Sequence, residues 1–367
     1  MKAPDLRALA DMWELEPAFL SIYLDTRGGI DEAFLRKRHK ECLVALAGKR
    51  EQAELFGRAL EQAERLLRGR QWSSEGVAVF CGPGRQYLEA FELPGAVENR
   101  MVFDSSPYIK PLVALRHDWE ESILVVLDHT HARIFVVAHH EILQKDAVAE
   151  EIVRKHRNGG MSQLRFQRLH DGYVSHYFKE VVEHLVAEVE NCRCMGRLRG
   201  IVLAGPKDAK AEFRRYLPAE LDKLVIGMLT EPSDVPDGTA VRDAEKIVHS
   251  RDDEKHRELV SKLRDGILGR GLATYGFEEA RRATLEGRAD TLLVQKGLSL
   301  RGWRCERDRG FGSGPMAQCP VCGAPPLEVD AVEELVELAM DRGTRVEFVE
   351  SGADISQLGG VGALLRY

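Results

Sequence analysis

Arg154-Lys155-His156-Arg157-Asn158-Gly159-Gly160-Met161-Ser162-Gln163-Leu164-Arg165-Phe166-Gln167-Arg168-Leu169 sets two glycines between a basic run and the start of a helical pattern. Five formal positive charges (Arg154, Lys155, Arg157, Arg165 and Arg168) and no acid fall within fifteen residues. Tandem glycines let the backbone take positive φ and approach a ligand closely, because no Cβ intervenes. Ser162 is a suitable helix cap, which would leave free backbone N–H groups facing whatever lies above the loop. Phosphates favour such a place on charge grounds. The same composition also suits a solvated connection between a strand and a helix, so the loop by itself leaves both readings open.

Moving outward, helix and strand patterns divide the chain into three segments. In residues 1–117, Phe19 to Leu24 reads as a strand, Gly28-Gly29 as a break, and Asp31 to Arg70 as a helical region with apolar residues three and four apart. Gly76 to Cys81 and Tyr87 to Leu93 read as a strand pair, giving a small α+β domain. In residues 118–264, Ile123 to Leu127 and Arg133 to Val137 form a hairpin pattern across Asp128-His129-Thr130-His131-Ala132. An amphipathic helix follows over 163–191, and the continuous apolar run Gly200 to Gly205 suits a central strand covered on both faces. A charge-dense helix over 242–264 leads to the third segment. In residues 265–367, helices over 277–287 and 329–342 alternate with strands over 290–294 and 345–349, as in an α/β/α sandwich. The fold class expected is therefore α/β and multidomain.

The central stretch resembles the Gly-Gly-Gln segment of archaeal and eukaryotic class-I release factors, which reads Gly-Gly-Gln-Ser-Ala-x-Arg-Phe-x-Arg-Leu after a Lys-His pair. Lys155, His156, Gly159, Gly160, Ser162, Arg165, Phe166, Arg168 and Leu169 match it. Gly200 to Gly205 is similar to that family's middle-domain strand. Tyr275 to Glu279 with Gly287 to Val294 resembles the opening of its C-terminal domain, and Gly359 to Tyr367 resembles the close. The chain is thus identified as a divergent, bacterial-type member of the release-factor and Pelota superfamily.

That resemblance implies a ribonuclease-H-like middle domain and a C-terminal domain of the Pelota type. It implies the ester between nascent peptide and tRNA as substrate, with Gly159, Gly160 and Met161 at the reaction centre; Gln163, two residues on, is the candidate substitute for the family's glutamine, although helix geometry would point it elsewhere. Arg154, Lys155, Arg157, Arg165 and Arg168 would hold rRNA and tRNA phosphates, and the ribosome, peptidyl-tRNA and a translational GTPase would be partners. Help for water would be positional, from a backbone N–H and from steric access. Met161 stands where the family has glutamine and offers no amide. Three readings therefore stay open: hydrolysis of the ester, Pelota-like ribosome binding without cleavage, and cutting of the tRNA 3′ end. The stop-codon element Asn-Ile-Lys-Ser is missing from the first segment; Arg36-Lys37-Arg38-His39-Lys40 lies nearest that position. Codon-independent rescue fits this better than stop-codon reading.

Cys319-Pro320-Val321-Cys322-Gly323 is a knuckle of the kind that binds zinc. With Cys305 it supplies three thiolates, and Asp308 stands where archaeal relatives carry a fourth cysteine. Three thiolates and a carboxylate can form a tetrahedral structural zinc site. The remaining cysteines (Cys42, Cys81, Cys192 and Cys194) lack framework spacing and read as small or incidental thiols. His129, His131, His139 and His140 read as surface histidines, and Glu333, Glu334 and Glu337 as a solvated helix face. A formal net charge of −7 excludes a uniformly positive nucleic-acid coat, so any RNA contact rests on local patches. No run of about 18 apolar residues is present, and the first residues lack an apolar signal core. A cytoplasmic protein without membrane contact is expected.

Overall fold

The computed structural model of the chain describes residues 4–138, 141–149, 162–194, 198–269, 271–350 and 353–367. Packing divides it into two compact units, Met1–Arg116 with His256–Tyr367, and His117–Lys255.

The amino-terminal part of the first unit holds α1 (Leu6–Ala10), β1 (Phe19–Asp25), α2 (Glu32–Ala45), α3 (Arg50–Arg68), β2 (Gly76–Gly82), β3 (Tyr87–Leu93), β4 (Arg100–Asp104) and α4 (Lys110–Ala114). The sheet is antiparallel in the order β3-β2-β1-β4. Alternation along β1 sends Leu20, Ile22 and Leu24 toward the helices, where they meet Leu35, Phe56, Leu60 and Leu67. On α3 the buried Phe56, Ala59, Leu60, Ala63 and Leu67 follow the three-and-four spacing of one helical stripe. The single helical region expected over 31–70 is two helices. Gly48, at φ +86°, takes a left-handed turn between them that a residue with a Cβ rarely adopts.

The second unit is built on β5 (Glu121–Leu127), β6 (His131–Ala138), β7 (Glu141–Ala149), α5 (Ser162–Cys194), β8 (Leu198–Ala204), α6 (Lys207–Phe213), α7 (Ala219–Asp222), β9 (Val225–Leu229) and the first part of α8 (Asp237–Leu268). Its sheet runs β7-β6-β5-β8-β9, antiparallel on the β7 side of β5 and parallel on the other. Strands β7 and β9 are additions to the expected pattern; β7 is largely exposed and its apolar residues do not alternate, so it carries no strand period. Helix α5 covers one face through Val174, Tyr177, Phe178, Val181, Leu185 and Val189. Helix α8 covers the other through Ala240, Val241, Ala244 and Val248. Double coverage explains why β5 and β8 are apolar on both faces. Gly205 ends β8 at φ +136°, and a Cβ there would lie 2.0 Å from the Leu127 carbonyl oxygen.

The rest of the first unit follows α8 with β10 (Ala273–Tyr275), α9 (Phe277–Leu285), β11 (Ala289–Gln295), β12 (Arg301–Arg304), β13 (Phe311–Ser313), β14 (Leu327–Asp330), α10 (Ala331–Asp341), β15 (Arg345–Val349), α11 (Ala353–Gln357) and β16 (Val361–Leu365). A four-stranded sheet, β10-β16-β11-β15, stands beside a three-stranded one, β13-β12-β14. The glutamates of α10 are not solvated. Glu333 and Glu334 are buried, because α10 packs against α1 and α4 as well as its own sheet. The Glu333 carboxylate accepts the backbone N–H of Ile109 (2.6 Å) and of Lys110 (2.9 Å), capping α4 from outside the local sequence. Arg304 bridges Glu334 (2.8 Å) and Asp104, and the Ser106 hydroxyl donates to Glu337 (3.0 Å).

Candidate functional site

The glycine loop joins the end of β7, at Ala149, to the start of α5, at Ser162. Arg154, Lys155, Arg157, Gly159, Gly160 and Met161 lie outside the described residues. Gln163, Arg165 and Arg168 fall in the first two turns of α5, which carries no acid in its first turn. The positive end of the α5 dipole lies at its Ser162 end. Helix α5 is anchored well beyond that end. Phe178 packs edge-on to Phe213, with ring centroids 5.5 Å apart, and against Tyr216 at 5.4 Å. A 33-residue helix fixed by its buried stripe is a rigid support for a catalytic or binding loop.

The histidines of the β5–β6 turn do not converge. Asp128 organises that turn by accepting the N–H groups of Thr130 (2.6 Å) and His131 (2.8 Å). His129 Nε2 instead meets Glu212 at 3.2 Å. His139 and His140 lie outside the described residues. A polar end to the α5 core escaped sequence reasoning: Gln144 donates to Glu188 (2.5 Å), and His184 meets Asp146 (2.5 Å). Burial, with the nearby Asp146 charge, pushes the Glu188 carboxyl above its ordinary range. His184 and Glu188 share a helix face and Gln144 and Asp146 share a strand face, a pairing that becomes visible only once β7 is known.

Cys305, Asp308, Cys319 and Cys322 come together as the sequence suggested, with their ligand atoms all within 4.8 Å of one another. Two backbone turns build the group. In the first, Cys305 N–H donates to Gly310 O (2.8 Å), Arg309 N–H to Cys305 O (3.0 Å) and Gly310 N–H to Asp308 Oδ1 (2.8 Å). In the second, Gly323 N–H donates to Cys319 O (2.9 Å) and Val321 N–H points at Cys319 Sγ (3.4 Å). Cys305 and Cys322 sulfurs lie 3.3 Å apart, and Cys319 Sγ is 2.9 Å from Asp308 Oδ2. A tetrahedral zinc site has sulfur–sulfur edges of about 3.8 Å, from zinc–sulfur bonds of about 2.3 Å. The four donors thus fit a metal. Burial resists ionisation of Cys305, yet hydrogen bonds from the Asp308 N–H, the Cys322 thiol and the Arg307 N–H outweigh it and hold this thiol below its usual range. The Ala324 N–H favours the Cys322 thiolate, but Cys305 and Asp308 beside it push Cys322 up to about 12. A bound cation would remove that opposition, because metal coordination deprotonates thiols.

Residues 107–249 match the family described as bacterial archaeo-eukaryotic release factor family 10, and residues 254–367 match eRF1 domain 3. The chain belongs to the release-factor and Pelota superfamily. Within this superfamily, it is similar to peptide chain release factor subunit 1 of Archaeoglobus fulgidus, at 29% identity over 317 residues, covering 80% of this chain and 77% of that protein. The corresponding protein of Thermococcus onnurineus is 26% identical over 360 residues, covering 90% of this chain and 85% of its own length. Among solved structures, S. cerevisiae Dom34 aligns with 77% of this chain and 74% of its own at 12% identity and a TM-score of 0.45. The archaeal termination factor aRF1 aligns with 99% and 96% at 19% identity and a TM-score of 0.26. Among the described residues, no helix is long and apolar enough to cross a membrane.

Proposed function

We propose that this protein acts on the ribosome as a termination- or rescue-type factor, promoting hydrolysis of the peptidyl-tRNA ester through Gly159-Gly160-Met161. The observation that carries this reading is the position of the loop: it lies inside the segment matched to the release-factor family and leads directly into α5. Water adds to the ester carbonyl, the Met161 backbone N–H donates to the developing oxyanion, and the tRNA 3′ oxygen departs with a proton. The glycines leave room for the ester, and no side-chain nucleophile is required. Arg154, Lys155, Arg157, Arg165 and Arg168 contact rRNA and tRNA phosphates, with Gln163 beside the reaction centre. The three domains of this reading are 1–117, 118–264 and 265–367. The order β7-β6-β5-β8-β9 supports a ribonuclease-H-like middle domain, and the match to eRF1 domain 3 supports a Pelota-type third. Without the stop-codon tetrapeptide, the factor serves stalled ribosomes in the cytoplasm, with delivery by a translational GTPase.

Zinc at Cys305, Asp308, Cys319 and Cys322 has a structural role in this reading. Four protein donors close the coordination shell and leave no position for a substrate.

Met161 favours a second reading, in which the factor binds the ribosome and prompts recycling with the ester intact, because the glutamine amide is gone. Purified protein incubated with ribosomes carrying labelled peptidyl-tRNA separates the two. Free peptide with full-length tRNA supports hydrolysis. Stable binding with an untouched ester refutes hydrolysis in favour of the second reading, and a shortened tRNA would refute both in favour of nuclease action.

A further inference from the structure

In the Cys305–Gly310 turn, Arg309 is not among the metal ligands. Arg309 follows the ligand Asp308 directly and has φ +59°, one of two non-glycine residues with positive φ among those described. Such a backbone persists only where its surroundings hold it in place. On the inner side the hold comes from Arg309 N–H to Cys305 O and Gly310 N–H to Asp308 Oδ1. Outward, the Arg309 guanidinium lies 3.9 Å from the ring centroid of Trp13, in the amino-terminal part of the same unit. Trp13 is itself fastened: Arg85 donates to its carbonyl (2.8 Å) and pairs with Glu14 (2.7 Å), and Glu14 N–H donates to Ser105 O (2.9 Å). Asp308, Arg309 and Trp13 all line one cleft of about 350 Å³.

We propose that metal occupancy at Cys305, Asp308, Cys319 and Cys322 is coupled to the seating of the amino-terminal segment through the Arg309–Trp13 contact. A metal on Cys305 and Asp308 fixes both sides of the turn that presents Arg309 in its left-handed conformation. Without it, the turn relaxes toward negative φ and the guanidinium leaves the ring. The device makes the Trp13 segment a reporter of the metal state, and it is independent of whether the loop hydrolyses an ester. Linkage is reciprocal: a contact strengthened by the metal must in turn strengthen metal binding.

Trp13 is not a ligand, so its effect on zinc affinity is diagnostic. Zinc affinity of the full-length chain would be measured by competition with a chromophoric chelator. An exposed cation–π contact corresponds to a change of about two- to fivefold in an equilibrium constant. Trp13→Leu should weaken zinc binding by that factor, and Trp13→Phe, which keeps a ring beneath the guanidinium, should restore most of it. In an Arg309→Gly background, where the strain and the cation are both removed, Trp13→Leu should have no further effect. Affinity within twofold of wild type in Trp13→Leu would overturn the coupling while leaving the zinc centre intact. So would an undiminished Trp13 effect in the Arg309→Gly background. Absence of zinc binding by the wild-type chain would overturn both the coupling and the zinc reading.

Discussion

Replacing Arg304 by methionine tests the buried network between the two parts of the first unit. Arg304 is 4% exposed and bridges Glu334 and Asp104, carboxylates that come from the two parts of that unit. Methionine fills much of the stem volume but leaves both acids without their cation. Breaking a buried pair by deleting one partner costs about 3–5 kcal/mol, and two stranded acids put Arg304→Met at the upper end of that range. For a unit of this size, about 1 kcal/mol moves the midpoint by roughly 2–4 °C, so the first unit's transition should fall by roughly 10–20 °C. The second unit, which does not contain the network, should hold its midpoint. The loss must also depend on pH. Burial raises the Glu334 carboxyl to about 7 even with Arg304 present, and removing the cation raises it further. At pH 5.5 Glu334 is protonated and the deficit shrinks; at pH 8 it is largest. Calorimetric unfolding of wild type and Arg304→Met at the two pH values, with zinc content measured alongside, is the assay. A loss below about 1 kcal/mol at pH 8, or an equal loss at both pH values, would refute the reasoning.

Wild-type stability should fall as pH rises from about 4.5 to about 8. Burial raises Glu333 to about 8 and Glu334 to about 7, so the folded chain keeps protons that the unfolded chain releases in that window; denaturant unfolding of the first unit at pH 5 and 8 checks the sign. Gly205→Ala should destabilise the second unit by at least about 3 kcal/mol, since its Cβ would meet the Leu127 carbonyl at 2.0 Å and φ is +136°; a midpoint within 2–3 °C of wild type would contradict this. Met161→Gln should raise peptide release on stalled ribosomes and Gly160→Ala should lower it, by about tenfold or more if the loop contributes through positioning. Unchanged release in both would remove the loop from the chemistry. Chelation should lower the midpoint of the first unit and spare the second, read by calorimetry with and without excess chelator.

Local pattern made several elements legible. Short apolar runs marked β1, β2, β5 and β8, three-and-four spacing marked the region of α3, and an amphipathic pattern marked α5, because buried faces leave a record in the local sequence. The cysteine centre was legible for a related reason: two of its ligands sit on one short knuckle, and the others on a second turn of similar size. The break at Gly48 was not legible, since an isolated glycine in a helical pattern is tolerated at a cost and need not end the helix.

The α10 glutamates show where pattern stops. At positions 333, 334 and 337 they look like the wet side of a helix, and with one partner sheet they would be. Only the tertiary structure brings α1 and α4 to that side, turning Glu333 into the cap of a helix some 220 residues away in sequence. The pairing of Gln144 and Asp146 with Glu188 and His184 arises the same way, from an exposed edge strand that lacks a hydrophobic period. Family membership, the Gly159-Gly160 motif and the Cys305, Asp308, Cys319 and Cys322 cluster were legible in the sequence itself, because their information is carried by residue identity and short spacing. Which charges are buried, and against what, was decided by packing between distant segments, for which sequence has no local record.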